Sequence, residues 1–147
     1  MSYDIKSAIP HREPFLLLDE ILEIAGEKVR AAATLRPDGE LWSRVYAGHY
    51  PGTPVTPGVL LCEMIFQASA VLAHELIRNK DASGIPMVTR IREVKFRRPI
   101  LPGDRVEVQA ELVEKMSNAL FMKGGISKDG KIAVEAQFAV AMVQQGE

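Results

Sequence analysis

A single cysteine, Cys62, stands among the 147 residues, so no disulfide can form within the chain. Neither sign of charge is in excess. The formal net charge is -1, which argues against a protein devoted to nucleic acid, where a basic stripe is the expected footprint. The three histidines, His11, His49 and His74, lie far apart in the sequence, and no cluster of ligands has zinc-type spacing, so no metal is expected. No uninterrupted apolar run reaches the ~18 residues of a membrane span. The start, Met-Ser-Tyr-Asp-Ile-Lys, lacks the sections of a signal peptide. A soluble, cytoplasmic protein is expected. There is no internal repeat, low-complexity tract or linker, and an apolar fraction of 47% suits one domain over residues 1–147 with a real core.

What is there centres on residues 48–67. The loop Gly48-His49-Tyr50-Pro51-Gly52-Thr53-Pro54-Val55-Thr56-Pro57-Gly58 is stiffened by three prolines. It feeds a run over 59–78 that has neither Gly nor Pro and predicts a helix of ~20 residues, about 30 Å long. Apolar residues wrap this cylinder on most sides, so it should be buried. Glu63 and Gln67, four apart, share one of its faces. Apolar surroundings favour the protonated form of a carboxyl group, the form that a general acid needs. The plainer alternative for Glu63 is a hydrogen bond that anchors a neighbouring strand. His49 is open to two readings as well, a loop staple or a proton acceptor. At Pro57-Gly58 the first-turn N–H groups have no helical acceptor, and Gly58 has no side chain to block approach, so the helix tip suits a developing negative charge; it is also an ordinary helix start. Cys62, with no base or cation beside it, reads as packing.

Around this stretch the pattern is β. A short helix or an irregular arm is expected over 1–9, and strands over 19–24 and 28–35 with Gly26 as the turn. Pro37-Asp38-Gly39 is turn chemistry, and 41–46 is a helical or extended connector. A polar loop is expected over 79–86, then strands over 87–96, 105–115, 119–127 and 131–143. Gly103-Asp104 and Asp129-Gly130 are the turns, the latter suited to a tight hairpin. One helix among antiparallel strands indicates an α+β fold, a sheet curling around the helix.

Gly48, His49, Pro51, Gly52, Pro54, Val55, Pro57, Gly58, Val59 and Leu60, followed by Glu63 and Gln67, resemble the signature of the hot-dog-fold 3-hydroxyacyl-[acyl-carrier-protein] dehydratases of type II fatty acid synthesis, fourteen-residue His-to-Glu spacing included. The segments 9–19 and 94–104 also resemble the family's, so the likeness covers roughly 9–143. It implies a curved antiparallel sheet wrapped around one long central helix. It further implies dehydration of a 3-hydroxyacyl thioester to the trans-2-enoyl thioester: His49 removes the α-proton, the Gly58 backbone N–H holds the thioester oxygen, and Glu63 protonates the departing hydroxyl. No cofactor is needed. Tyr46, Tyr50, Pro57, Val59 and Gln67 are the implied substrate contacts, and the partner is acyl carrier protein with its acyl-phosphopantetheine. Glu63 should lie roughly 7–8 Å along the helix from its start, across a stiff loop from His49. Pairing between two copies is therefore natural, and the resemblance implies the same: a homodimer, often assembled as a trimer of dimers.

Several positions depart from the family pattern. Val45, Tyr46 and Ala47 stand where two Phe and often a Gln are usual, Tyr50 replaces a Phe and Thr56 a Met; acyl preference is what these changes put in question. His11 and Arg12 read as structural, since nothing in the sequence pairs His11 with an acid. Lys95, Arg97 and Arg98 form the densest positive cluster, either a patch for an acidic carrier or a solvated strand face. A hot-dog thioesterase and a non-catalytic acyl-binding or structural subunit are the alternatives in function.

Overall fold

The computed structural model describes residues 2–78 and 84–144, so most of the loop expected over 79–86 lies outside the described residues. In chain order the elements are α1 (Ile5–Ala8), β1 (Glu20–Ala25), β2 (Lys28–Thr34), α2 (Glu40–Gly48), α3 (Gly58–Ile77), β3 (Ile85–Phe96), β4 (Arg105–Met116), β5 (Ala119–Lys128) and β6 (Lys131–Val143). The strands form one six-stranded antiparallel sheet in the order β1-β2-β4-β5-β6-β3. Each hairpin follows from its turn residues. Asp129 and Gly130 both have positive φ, +52° and +76°, between Lys128 and Lys131, which suits the twist of a two-residue connection.

α3 runs along the inner face of this sheet, and eleven of its residues are buried, among them Leu61, Met64, Ile65, Val71 and Leu72. By length and hydropathy α3 could cross a membrane, but 61% of its most apolar stretch is buried within the fold, as a core helix requires. At β5 strand and helix pack without a strand side chain between them. A Cβ on Gly124 would sit 2.5 Å from Ile65 Cγ2, so only glycine lets strand and helix approach this far. One apolar cluster joins Ile5, Leu17, Trp42, α3 and the inward residues of β2, β4, β5 and β6. This is the α+β hot-dog arrangement expected from the sequence.

The connector over 41–46 resolves as helix. Trp42 and Tyr46, one turn apart, are its buried pair, with ring centroids 5.8 Å apart, and this packing positions the C-terminal end of α2, where the next residue is His49. β3 lies at the sheet edge with one side unpaired. It is twelve residues long, is bulged against β6 between Val88 and Arg90 and between Ile91 and Glu93, and exposes Met87, Ile91 and Phe96.

Candidate active site

His49 caps the C-terminus of α2 and is half-buried, its ring stacked on Tyr50 at 4.2 Å. Nδ1 lies 2.9 Å from the carbonyl oxygen of Val55. A carbonyl can only accept, so Nδ1 carries the hydrogen, and in the neutral ring the lone pair is left on Nε2. The loop therefore delivers an imidazole in the tautomer that a base requires.

Glu63 sits in the second turn of α3 with about a quarter of its side chain exposed. Its Oε2 accepts a 3.0 Å hydrogen bond from Gln67 Nε2, one turn further on. Gln67 is wholly buried, and its amide is fully engaged: Nε2 also donates to the carbonyl of Phe15, and Oε1 accepts from the N–H of Leu17, each at 2.8 Å. Among the expected substrate contacts, Gln67 has its amide taken up by these partners within the chain. The residue fastens the segment before β1 to α3 and fixes one oxygen of Glu63, so a proton carried by the carboxyl group is presented at Oε1.

The same segment brings a neighbour that sequence spacing does not show. His11 Nε2 lies 3.6 Å from Glu63 Oε2, and His11 Nδ1 is buried without a hydrogen-bond partner among the described residues. The expectation that His11 has no acid beside it is thus overturned, because the chain folds back across 52 positions. Arg12 is structural as expected: its guanidinium donates to the carbonyls of Lys6, Ile9 and His11 at 2.7–3.0 Å and holds the turn that carries His11.

At the tip of α3, Leu60 and Leu61 donate to the Pro57 carbonyl at 3.1 and 3.2 Å, and no side chain caps the helix. The N–H groups of Gly58 and Val59 have no acceptor within the helix. The room above Gly58 is not open, however. A Cβ there would meet the Phe96 ring at 2.8 Å, so the missing side chain makes space for an aromatic ring from β3. Val59 and Tyr50 are exposed, at 77% and 56%, and Pro57 is half-buried. Tyr46 is buried, and its hydroxyl is 2.7 Å from Thr56 Oγ1, also buried, so its polar atom is engaged within the chain. Burial raises the Tyr46 phenol above its usual range while the bond to Thr56 pulls the other way. The Cys62 thiol is also pushed up by burial, which suits packing rather than nucleophilic attack.

Lys95, Arg97 and Arg98 do not make one patch. Lys95 and Arg97 line a trough of about 540 Å³ on the outer face of the sheet, beside Lys28, Arg30 and Lys123. There Lys95 pairs with Glu93 at 3.5 Å and Arg97 with Glu135 at 2.6 Å. Arg98, next along the chain, is exposed outside the trough and has no carboxylate partner among the described residues. His49, Gly58 and Glu63 do not line the trough.

Residues 9–137 match the family described as the FabA-like domain. A 3-hydroxyacyl-[acyl-carrier-protein] dehydratase FabZ of Campylobacter jejuni is 35% identical over 143 residues, 96% of this chain and 96% of the relative. Its namesake in Symbiobacterium thermophilum is 37% identical over 136 residues, 92% of each chain. Among solved structures, the dehydratase heterocomplex ApeI:P from Xenorhabdus doucetiae aligns with a TM-score of 0.82 over 100% of this chain and 95% of that one; at 21% identity the likeness is one of fold. With the family match spanning most of its length and relatives at 35–37% identity over nearly all of it, the chain belongs to the FabA-like family of 3-hydroxyacyl-[acyl-carrier-protein] dehydratases.

Proposed function

We propose that this chain is a cytoplasmic hydro-lyase that converts 3-hydroxyacyl thioesters, borne by acyl carrier protein, into trans-2-enoyl thioesters. The observation that carries the reading is the bond from His49 Nδ1 to Val55, which leaves Nε2 as the base. His49 Nε2 takes the proton from the carbon next to the thioester carbonyl. The Gly58 N–H at the helix tip stabilises the carbonyl oxygen as charge gathers there, and the C–O bond at the third carbon breaks as Glu63 supplies the proton that lets hydroxide leave as water. The thioester carbonyl takes up the charge, so the reaction as written uses no cofactor.

In this reading the working unit is a homodimer, extendable to a trimer of dimers, and each chain acts as one catalytic domain. The unpaired edge of β3, with Met87, Ile91 and Phe96 exposed along it, supports pairing with a second copy. His49 of one copy then works with Glu63 of the other, and Tyr50, Pro57 and Val59 border the acyl chain. Among the three cations expected to meet the carrier, Arg98 is the one whose charge has no carboxylate partner among the described residues, and the contact is placed there.

The test follows enoyl absorbance and thiol release together on one 3-hydroxyacyl thioester. Wild type should give enoyl product without free thiol, and His49→Ala and Glu63→Gln should each lower kcat by about 10²–10⁴-fold. Thiol release without enoyl product would make the chain a thioesterase. Wild-type turnover in both variants, folded and dimeric, would remove the assigned roles.

A further inference from the structure

Two hydrogen bonds tie the last turn of α2 to residues 55 and 56. His49 Nδ1 donates to the Val55 carbonyl at 2.9 Å, and Tyr46 and Thr56 join their hydroxyls at 2.7 Å. Tyr46 lies in the last turn of α2, His49 is the cap residue just past it, and both reach the segment 55–56. Across from them Thr56 is held a second time, because its N–H donates to the carbonyl of Ile100, a fully buried residue, at 3.0 Å. The Val55 carbonyl is therefore placed by its neighbour. Thr56 is pinned on one side to Ile100 and on the other to Tyr46, both Tyr46 and Thr56 being at least nine-tenths buried.

Tyr46 and Thr56 are two of the positions at which the sequence departs from the family pattern, a Phe and a Met being usual there. In the fold they touch. The two departures thus amount to one change, a polar pair in place of an apolar one, sited where the catalytic loop meets the helix tip. Burial raises the Tyr46 phenol from its ordinary value, and both hydroxyls carry a hydrogen near neutrality, so a donor is always available to the pair.

We propose that Tyr46 is a positioning residue for His49: its hydroxyl, through Thr56, holds the Val55 carbonyl where it fixes the imidazole in the Nδ1–H tautomer and aims Nε2 at the substrate. This rests on the dehydratase reading above for what Nε2 does, but not for the tautomer itself. Removing the Tyr46 hydroxyl leaves Thr56 Oγ1 buried and unpaired, the segment 55–56 relaxes, and the His49 ring loses its fixed acceptor. Substrate binding, made elsewhere, is spared.

The experiment uses the full chain labelled with ¹⁵N-histidine, the His49 signals being identified by their loss in His49→Ala. Tyr46→Phe, Thr56→Val and the double variant Tyr46→Phe/Thr56→Val are compared with wild type. Tyr46→Phe should shift the His49 nitrogens from one defined tautomer to a mixture, and should lower kcat roughly tenfold with KM within about twofold. Thr56→Val should do the same. The double variant, which restores an apolar pair, should regain melting temperature relative to either single variant, while its kcat loss should fall well short of the product of two independent losses. A Tyr46→Phe enzyme with unchanged kcat and an unchanged His49 tautomer would overturn the proposal, and so would a fall in kcat with the tautomer intact, since that is the mark of a merely structural contact. The ¹⁵N measurement needs no turnover. It therefore tests the latch even where the wild-type chain produces no enoyl thioester, the result that would instead sink the function proposed above.

Discussion

At the scale of single residues, the carboxyl group of Glu63 is set by two partners of different kinds. Gln67 donates to it from within α3, and His11 faces it from the segment before β1. Gln67→Leu keeps most of the volume but strands the N–H of Leu17 and the carbonyl of Phe15, which should cost about 1–3 kcal/mol in denaturant unfolding. Its kcat should fall with it, because Glu63 Oε2 loses its fixed donor. His11→Leu should lower kcat more than it lowers stability, and His11→Gln, which restores a donor, should recover part of the loss; equal kcat in the two variants would show that the contact with Glu63 is incidental. The sequence made Glu63 and Gln67 visible through their helical spacing. It hid His11, because the pairing crosses 52 positions and depends on Arg12 gathering three backbone carbonyls into one turn.

Among the elements, close approach matters more than hydrophobic content. Gly58 and Gly124 are the places where β3 and β5 press on α3, and a Cβ at either would fall 2.8 Å from Phe96 or 2.5 Å from Ile65. Gly124→Ala should destabilise by roughly 1–3 kcal/mol, read as a lower melting temperature, since a backbone carbonyl of Gln109 at 2.7 Å also resists the methyl group. Gly58→Ala should displace the Phe96 ring and depress kcat, and Phe96→Leu in the same chain should return part of it by making room; no recovery would mean that the loss comes from the helix tip alone. Strand positions were legible because alternation and turn residues such as Asp129-Gly130 act locally. α2 was ambiguous for the opposite reason. Its short span holds one buried face, Trp42 and Tyr46, and what chooses helix there is packing on the core. Tyr46 and Thr56 were visible as departures from a pattern, but that they satisfy each other is a property of the fold.

For the molecule as a whole, exposed apolar side chains and an open sheet edge lie beside the helix tip. Val59, Tyr50 and Phe96 are each more than half exposed, and the twelve-residue β3 has no neighbouring strand on one side among the described residues. If the chain pairs as proposed above, Ile91→Glu, near the middle of that strand, should sediment as a monomer where wild type sediments as a dimer, and should abolish turnover while leaving the fold intact by circular dichroism; an active monomer would place both halves of the site in one chain. The open edge of β3 also has a genetic meaning. Where each centre joins His49 of one copy to Glu63 of another, as proposed above, two inactive alleles, one lacking the imidazole at 49 and the other the carboxyl group at 63, should rescue each other when co-expressed, because a hybrid pair then contains one crevice built wholly from undamaged parts. With random mixing about a quarter of the normal number of working centres should return, a defect thus healed between molecules that neither could heal alone.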